Sequence, residues 1–366
     1  IVDEDLIPAV RPYLQLEMDE VAPDAEAYTV YETLDEETTE AVVEHLDDED
    51  EPLADVIATY YMGADQYAHI SKDGPDRARK EYLKKALDPE FEKLASALAG
   101  RNGLANRYVI VISDHGHTQV VRDEKHALGT EKEGDPPALL ERSGFRVRPF
   151  ELEVDEDDDF QAVLAYQGAI AYVYLADRSS CEKPGGRCDW KRPPRYREDV
   201  LAAAEAFHAA NQRGTKVREL LGTLDMILTR KPKPAAEVDA PFEVYVGDGK
   251  LVPLRAYLAR HPHPDYVAFD ERLRELAVGR AGERAGDVLL LANNGNRKRP
   301  DQRYYFSGEY WSWHGSPSKK DSEIPLIVAH PGKSSAELET LVRRAMGSEA
   351  RQHEIAELLL TLRYGS

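Results

Sequence analysis

Apolar residues in this chain fall into two patterns: short β-branched runs, and longer stretches with helical spacing. Residues 54 to 63, ADVIATYYMG, and 107 to 113, RYVIVIS, read as strands. Between them Tyr82, Leu83, Ala86, Leu87, Phe91, Leu94 and Leu98 recur at helical intervals. A strand, a helix and a strand in that order predict a parallel pair, with the apolar block at 109–112 covered on both faces. Further on, residues 168–177 and 242–254 read as strands, the latter as a hairpin around Asp248 and Gly249, and 197–212 reads as a helix. The block GDVLLLANNG at 286–295 predicts another buried strand, and Pro-Leu-Ile-Val at 325–328 a short one. A closing helix carries Leu358, Leu359, Leu360 and Leu362. Together these elements predict an α/β chain: a central, mostly parallel sheet flanked by helices, with an inserted α+β cap region. The zones expected are 1–135 as part of the core, 136–280 as the cap or insert, and 281–366 as the C-terminal part of the core. No internal repeat interrupts them.

Composition narrows the class of partner. With 366 residues, 42% hydrophobic and 8% aromatic, the chain has globular composition and enough length for a large core. Lys and Arg number 47 against 68 Asp and Glu, a net charge of −21. Such a charge argues against nucleic acid or an anionic membrane surface reached by bulk attraction, so any anionic substrate must be held locally. No apolar run has the length of a membrane span. The first residue is Ile rather than Met, so no signal peptide can be read, and the expectation is that the gene product begins earlier. The acidic runs at 44–51 and 153–159 read as solvated surface, since neither has calcium-loop spacing.

The only two cysteines, Cys181 and Cys188, flank a Pro-Gly-Gly turn that can bring their ends together. In an oxidising compartment such a pair closes a small disulfide loop; the alternatives are two free thiols in a reducing one, or a zinc site needing two more ligands from elsewhere.

Candidate chemistry sits where apolar runs end. After 107–113 come Asp114, His115 and His117; ligands of open α/β sheets bind beyond the carboxyl ends of strands, although Asp-X-Gly is also an ordinary turn sequence. After 54–63 come Asp65 and His69, four residues apart, which a helix would place on one face. Beyond 286–295 comes His314 with Gly315, where the small residue allows close backbone approach. Three imidazoles and two carboxylates suit zinc, or manganese with more oxygen ligands, and are too many for one tetrahedral site. Two metal ions are therefore expected.

These residues carry a resemblance. YYMGADQYAHISKDGP, then VISDHGHT, then WHGSP followed by EIPLIVAHPG, resemble the alkaline phosphatase superfamily, and within it the type I phosphodiesterase and nucleotide pyrophosphatase branch with its phosphate-irrepressible alkaline phosphatases. The three motifs occur in that family's order, and the similarity runs from about residue 54 to the C-terminus. It implies an alkaline phosphatase-like fold and hydrolysis of small phosphate esters, with Asp65, His69 and His314 on one zinc and Asp114 and His115 on the other. It also implies a Thr or Ser nucleophile and a further Asp near the N-terminus. Residues 1–53 contain no such arrangement: Thr29, Thr33, Thr38 and Thr39 lie in acidic, helix-like sequence. The nucleophile is thus expected upstream of Ile1, and the protein in the periplasm or secreted. The alternatives are a non-catalytic metal-binding member, or a sulfatase or phosphonate hydrolase. A sulfatase would need a processed Cys or Ser, and neither Cys181 nor Cys188 follows a strand in suitable sequence. His117 is expected as a supporting or loop residue, His126 and Lys72 as bystanders, His261 and His263 as decoration of a proline-rich turn, and Trp311 and Trp313 as packing or pocket wall.

Overall fold

The computed structural model describes residues 24–48, 50, 52–100, 103–129, 133–149, 159–183, 185–231, 241–277 and 285–365. Residues 153–158 of the second acidic run and Pro184 of the cysteine loop lie outside them. The chain forms two compact units, 1–114 with 325–366, and 115–324. Its strands in chain order are β1 Val109–Ile112, β2 Thr118–Gln119, β3 Ala162–Gln167, β4 Ile170–Leu175, β5 Leu224–Thr229, β6 Glu243–Tyr245, β7 Leu251–Pro253, β8 Val288–Ala292, β9 Ser312–Trp313 and β10 Leu326–Ala329.

The second unit is built on a six-stranded sheet in the order β3-β4-β8-β5-β6-β7. Its position follows from β8, where every residue is buried. Because successive strand side chains point to opposite faces, Val288, Leu290 and Ala292 enter one apolar cluster and Leu289 and Leu291 the other. The first cluster is closed by the helix Leu201–Arg213, whose Ala203, Ala204 and Ala210 permit close approach and whose Phe207 fills the gap. The second is closed by the helices Leu254–Arg260 and Phe269–Leu276, through Leu254, Phe269 and Leu273. A bulge between Leu224 and Met226 lets β5 send Leu224 to one cluster and Met226 to the other. Each fully buried Leu contributes about 1.5–3 kcal/mol of transfer free energy, so this doubly covered sheet holds the unit together.

The expectation of a mostly parallel sheet does not hold among the described strands. All strand pairs are antiparallel, and only isolated bridges such as Ala127 with Tyr305 run parallel. Mixed α/β character with a central sheet and helices stands; the strand directions do not. An uninterrupted apolar run reports cover on both faces, and antiparallel neighbours satisfy that as well as parallel ones when helices lie on each side. The hairpin around Asp248 and Gly249 forms as the sequence predicts, both residues having positive φ, at 52° and 69°.

The first unit packs the helix Asp24–Asp47 with Gly63–Ile70, Pro75–Tyr82 and Asp88–Gly100, a π-helical turn at Leu83–Leu87 joining the last two. Tyr31, Tyr82 and Ala86 form its small buried cluster, with edge-on contacts of Tyr28 to Tyr67 and Tyr82 at 5.1 and 5.3 Å. Residues 54–62 form no strand, contrary to expectation; the helix begins directly at Gly63. A strand needs a neighbour for its backbone groups, and β1 instead pairs with β10, from Val109 opposite Ala329 to Ile112 opposite Leu326. Nor is β1 covered on both faces, since Val111 and its cross-strand partner Ile327 are 41% and 56% exposed. The helix Ser335–Met346 follows, its first turn closed by a capping box between Ser334 and Glu337, and Ile355–Tyr364 ends the described chain. No described helix is long and apolar enough to cross a membrane.

Candidate metal centre

In the first unit, ligand-type side chains stand on a helix start and at a strand end. Gly63 opens its helix where any side chain would collide, since a Cβ there would lie 1.9 Å from Tyr82 Oη and 2.5 Å from Asp35 Oδ2. The Gly63 N–H donates to the Asp35 carboxylate at 3.2–3.3 Å, and Tyr82 Oη donates to Asp35 Oδ2 at 2.9 Å. The buried Asp35 thereby holds the helix N-terminus, although burial pushes its own pKa up. One turn on, Asp65 and His69 fall on one face as their spacing predicts, with Asp65 Oδ1 3.5 Å from His69 Nε2. His69 is buried, and Gln66 donates to Asp65 Oδ2 at 3.0 Å. Asp114 follows β1 and accepts a 3.4 Å hydrogen bond from Tyr60 Oη. The Tyr60 phenol is pushed up by burial first, then by the negative charges of Asp114 and Asp65. Both carboxylates therefore act on the same hydroxyl.

In the second unit three imidazoles come together. The rings of His115 and His314 stack with centroids 3.5 Å apart, while His117 lies 5.3 Å from His314 and 5.6 Å from His115. Two short backbone ties bring them there. β2 pairs with β9, setting Thr118 opposite Trp313, and the Ala169 N–H donates to the His314 carbonyl at 2.9 Å. His115 Nδ1 lies 3.1 Å from the Gly116 carbonyl, and His117 Nδ1 lies 3.1 Å from Ser312 Oγ. A contact of this kind fixes the tautomer and orientation of a ligating histidine.

Asp321, buried in the short helix Lys319–Ser322, bonds to the segments that carry these rings. Its carboxylate accepts from Thr118 Oγ1 at 2.6 Å, from Ser316 Oγ at 2.6 Å and from the Ser316 N–H at 2.9 Å. Burial raises its pKa, and those hydrogen bonds oppose the rise. Gly116 N donates to the Asp321 carbonyl at 2.9 Å. Residue 116 must be Gly, because a Cβ would lie 2.0 Å from the Lys320 carbonyl oxygen.

Of the sequence-predicted ligands, Asp65 and His69 meet in the first unit, which also carries Asp114; His115 and His314 meet in the second. Their donor chemistry fits zinc or manganese: carboxylates with an imidazole in one unit, imidazoles in the other. His117 is buried beside them rather than a peripheral loop residue, and it too is a candidate ligand. Its signal was the alternation with His115, which puts residues two apart on one side of extended chain. Asp321 carried no sequence signal. The bystander readings divide. His126 bonds Asp123 at 2.7 Å, away from the cluster, and Trp313 packs on Tyr305 and Tyr310. His263 is no surface ornament: its Nε2 lies 3.0 Å from Asp225 Oδ1, and Tyr266 Oη donates to Asp225 Oδ2 at 2.8 Å. Asp225 is the first cause of the raised His263 pKa. The Cys181–Cys188 disulfide is formed.

Three threonines of the first helix bond back to it, and Thr39 Oγ1 also lies 3.0 Å from Tyr61 Oη. Thr33, Thr38 and Thr39 donate their hydroxyls to the carbonyls four residues earlier, at 3.0, 2.9 and 3.1 Å.

A family model described as type I phosphodiesterase / nucleotide pyrophosphatase matches residues 9–297. Neither a curated protein nor a solved structure matches the chain.

Proposed function

The chain belongs to the type I phosphodiesterase / nucleotide pyrophosphatase family, a family of metal-dependent phosphoric ester hydrolases, and from that premise we propose that it hydrolyses small phosphate esters with two zinc ions. The observation that carries the reading is the retention of carboxylate–imidazole chemistry in the family's motif order. Asp65, His69, Asp114 and His115 fall inside the matched residues, while His314 follows them and is supported by its stacking on His115. We assign Asp65, His69 and His314 to one ion, and Asp114 and His115 to the other, with manganese as the alternative metal. All five lie outside residues 136–280, the region read as a cap, although β8 of the C-terminal zone shares a sheet with that region's strands.

When bound, such ions supply Lewis-acid charge to a phosphoryl group. The chain's own residues do the rest. His115 and His314 present their rings side by side, His69 is held against Asp65, and Tyr60 Oη donates toward Asp114. With a net charge of −21 the protein repels an anionic ester at long range, so the substrate is held locally. The nucleophile in this reading is a Thr or Ser hydroxyl, which the back-bonded helical threonines do not supply. The disulfide supports a periplasmic or secreted protein.

Elemental analysis of purified full-length protein that retains the whole site should find about two zinc equivalents, with turnover of p-nitrophenyl phosphate or its bis ester. Absence of transition metal after reconstitution would sink the reading. The alternative reading is a non-catalytic metal-binding member of the fold. It predicts zinc without turnover of either ester.

A further inference from the structure

Asp321 sits where two segments of the second unit must be kept in register. One segment, 115–118, carries His115 and His117; the other, 312–316, carries His314. The pairing of β2 with β9 is only two residues long on each side, which leaves a weak ladder to set the distance between the imidazoles. Asp321 spans the same gap with side-chain bonds. Oδ1 accepts from Thr118 Oγ1, one residue after His117, and Oδ2 accepts from the N–H and Oγ of Ser316, two residues after His314. The backbone of the same residue accepts from Gly116, between the two histidines.

This is an arrangement with little tolerance. The carboxylate is buried, Ser318 Oγ lies 2.8 Å from Ser316 Oγ, and the Ser318 N–H donates back to Ser316 Oγ at 3.3 Å. A buried carboxylate loses most when one donor is withdrawn, since its desolvation is then uncompensated. On its other side Arg272 donates to the Oγ of the next residue, Ser322, at 2.7 Å. The donors of Thr118 and Ser316 call for a hydrogen-bond acceptor at this position.

We infer that Asp321 is a positioning residue for the metal-ligating imidazoles, its carboxylate clamping the loop of His314 to the segment of His115 and His117. The inference rests on the reading of those histidines as metal ligands. Removing an outer partner of this type costs 10–100-fold in metal affinity or activity in order of magnitude.

The test compares wild type with Asp321→Ala, Asp321→Asn and the double variant Thr118→Val/Ser316→Ala, each in the full-length protein. Zinc affinity is read by chelator competition, imidazole NMR signals in the zinc-free protein, and kcat and KM on p-nitrophenyl phosphate. Asp321→Ala should weaken zinc binding about 10–100-fold and shift the His115, His117 and His314 signals, leaving those of His126 and His263 in place. The rate loss should fall on kcat with KM little changed. Asp321→Asn should restore most of the affinity, because its carbonyl still accepts from Ser316 while the Thr118 hydroxyl can turn to accept from the amide. Should Asp321→Ala fail to fold, the double variant, which removes one donor from each side, must show the same loss. A folded Asp321→Ala or double variant with wild-type zinc affinity and unshifted imidazole signals overturns the positioning role alone. A wild type that binds no zinc overturns the metal reading, and this inference with it.

Discussion

The strands Val109–Ile112 and Val288–Ala292 are both short, unbroken apolar runs, yet they sit in opposite surroundings. In the second unit β8 is buried along its whole length, because one helix covers one face of its sheet and two helices the other. In the first unit β1 has, among the described residues, β10 alone beside it, and the Val111 and Ile327 side chains reach solvent. An apolar run therefore states what a strand can tolerate, whereas neighbours decide what it receives. The candidate ligands differ in a parallel way: Asp65, Asp114 and His69 in the first unit, His115, His117 and His314 in the second.

The largest expected effect tests the ligand sets. His314→Ala from the second unit and Asp65→Ala from the first should each cut phosphate-ester hydrolysis by several orders of magnitude and lower bound zinc, since metal-centred charge stabilisation supplies several kcal/mol and about 1.36 kcal/mol is tenfold. His263→Ala, in its separate network, should change the rate by less than about tenfold. If only one of the first two variants loses activity, one unit alone carries the site and the assignment of five ligands fails.

Next in size is the contrast between strands. Leu290→Ala should cost about 2–5 kcal/mol in denaturant unfolding, and Val111→Thr should stay within about 0.5 kcal/mol. Equal losses would mean that β1 is as well covered as β8.

The disulfide belongs to the second unit only. Replacing Cys181 and Cys188 by Ser opens so short a loop that at most about 2–3 kcal/mol should be lost, with activity on both esters retained. A loss of activity equal to that of His314→Ala would place the loop at the site.

The smallest effects are pH-dependent and of opposite sign. In the second unit burial lifts the Asp287 pKa to about 6, against the hydrogen bond from the Leu175 N–H and the charge of Arg230. The folded protein thus holds this proton more tightly than the unfolded chain, whose reference is about 3.9, and stability should fall as pH rises from about 4 through 6. Asp287→Asn should remove that fall, on the order of 1–3 kcal/mol at pH 8, in unfolding measured across the range. In the first unit the Ser334 hydroxyl holds the Glu337 carboxyl low. Its contribution is present above the unfolded pKa and lost as pH falls through the folded one, so Glu337→Gln should flatten the acid limb. A Glu337→Gln profile identical to wild type would remove the cap from the account.

Local chemistry made several elements legible. Asp248 and Gly249 tolerate the positive φ of a tight hairpin, Asp65 and His69 fall four apart on a helix, and two cysteines around a Gly-rich turn close a loop wherever the compartment oxidises thiols. The helix Leu201–Arg213 was equally plain, its Ala-rich face repeating at helical intervals. These features depend on residues within a few positions of one another, and their energetics are set before the chain folds.

Pairing and burial are not local. Whether 54–62 becomes a strand, which way the neighbours of β8 run, and whether His117 is a loop ornament or sits 5.3 Å from His314 depend on partners far away in sequence. The motifs identified the ligand candidates because metal chemistry selects residue types. They were silent on Asp321, an acid in a polar Ser-Pro-Ser-Lys-Lys stretch that any surface loop could contain. The sequence alone determined which atoms can bind a metal and which segments can be helical or extended. The tertiary structure decided which of them meet, because a hydrogen bond from Thr118 to a carboxylate two hundred and three residues away exists only once the intervening chain has buried its apolar faces and brought both ends to one place.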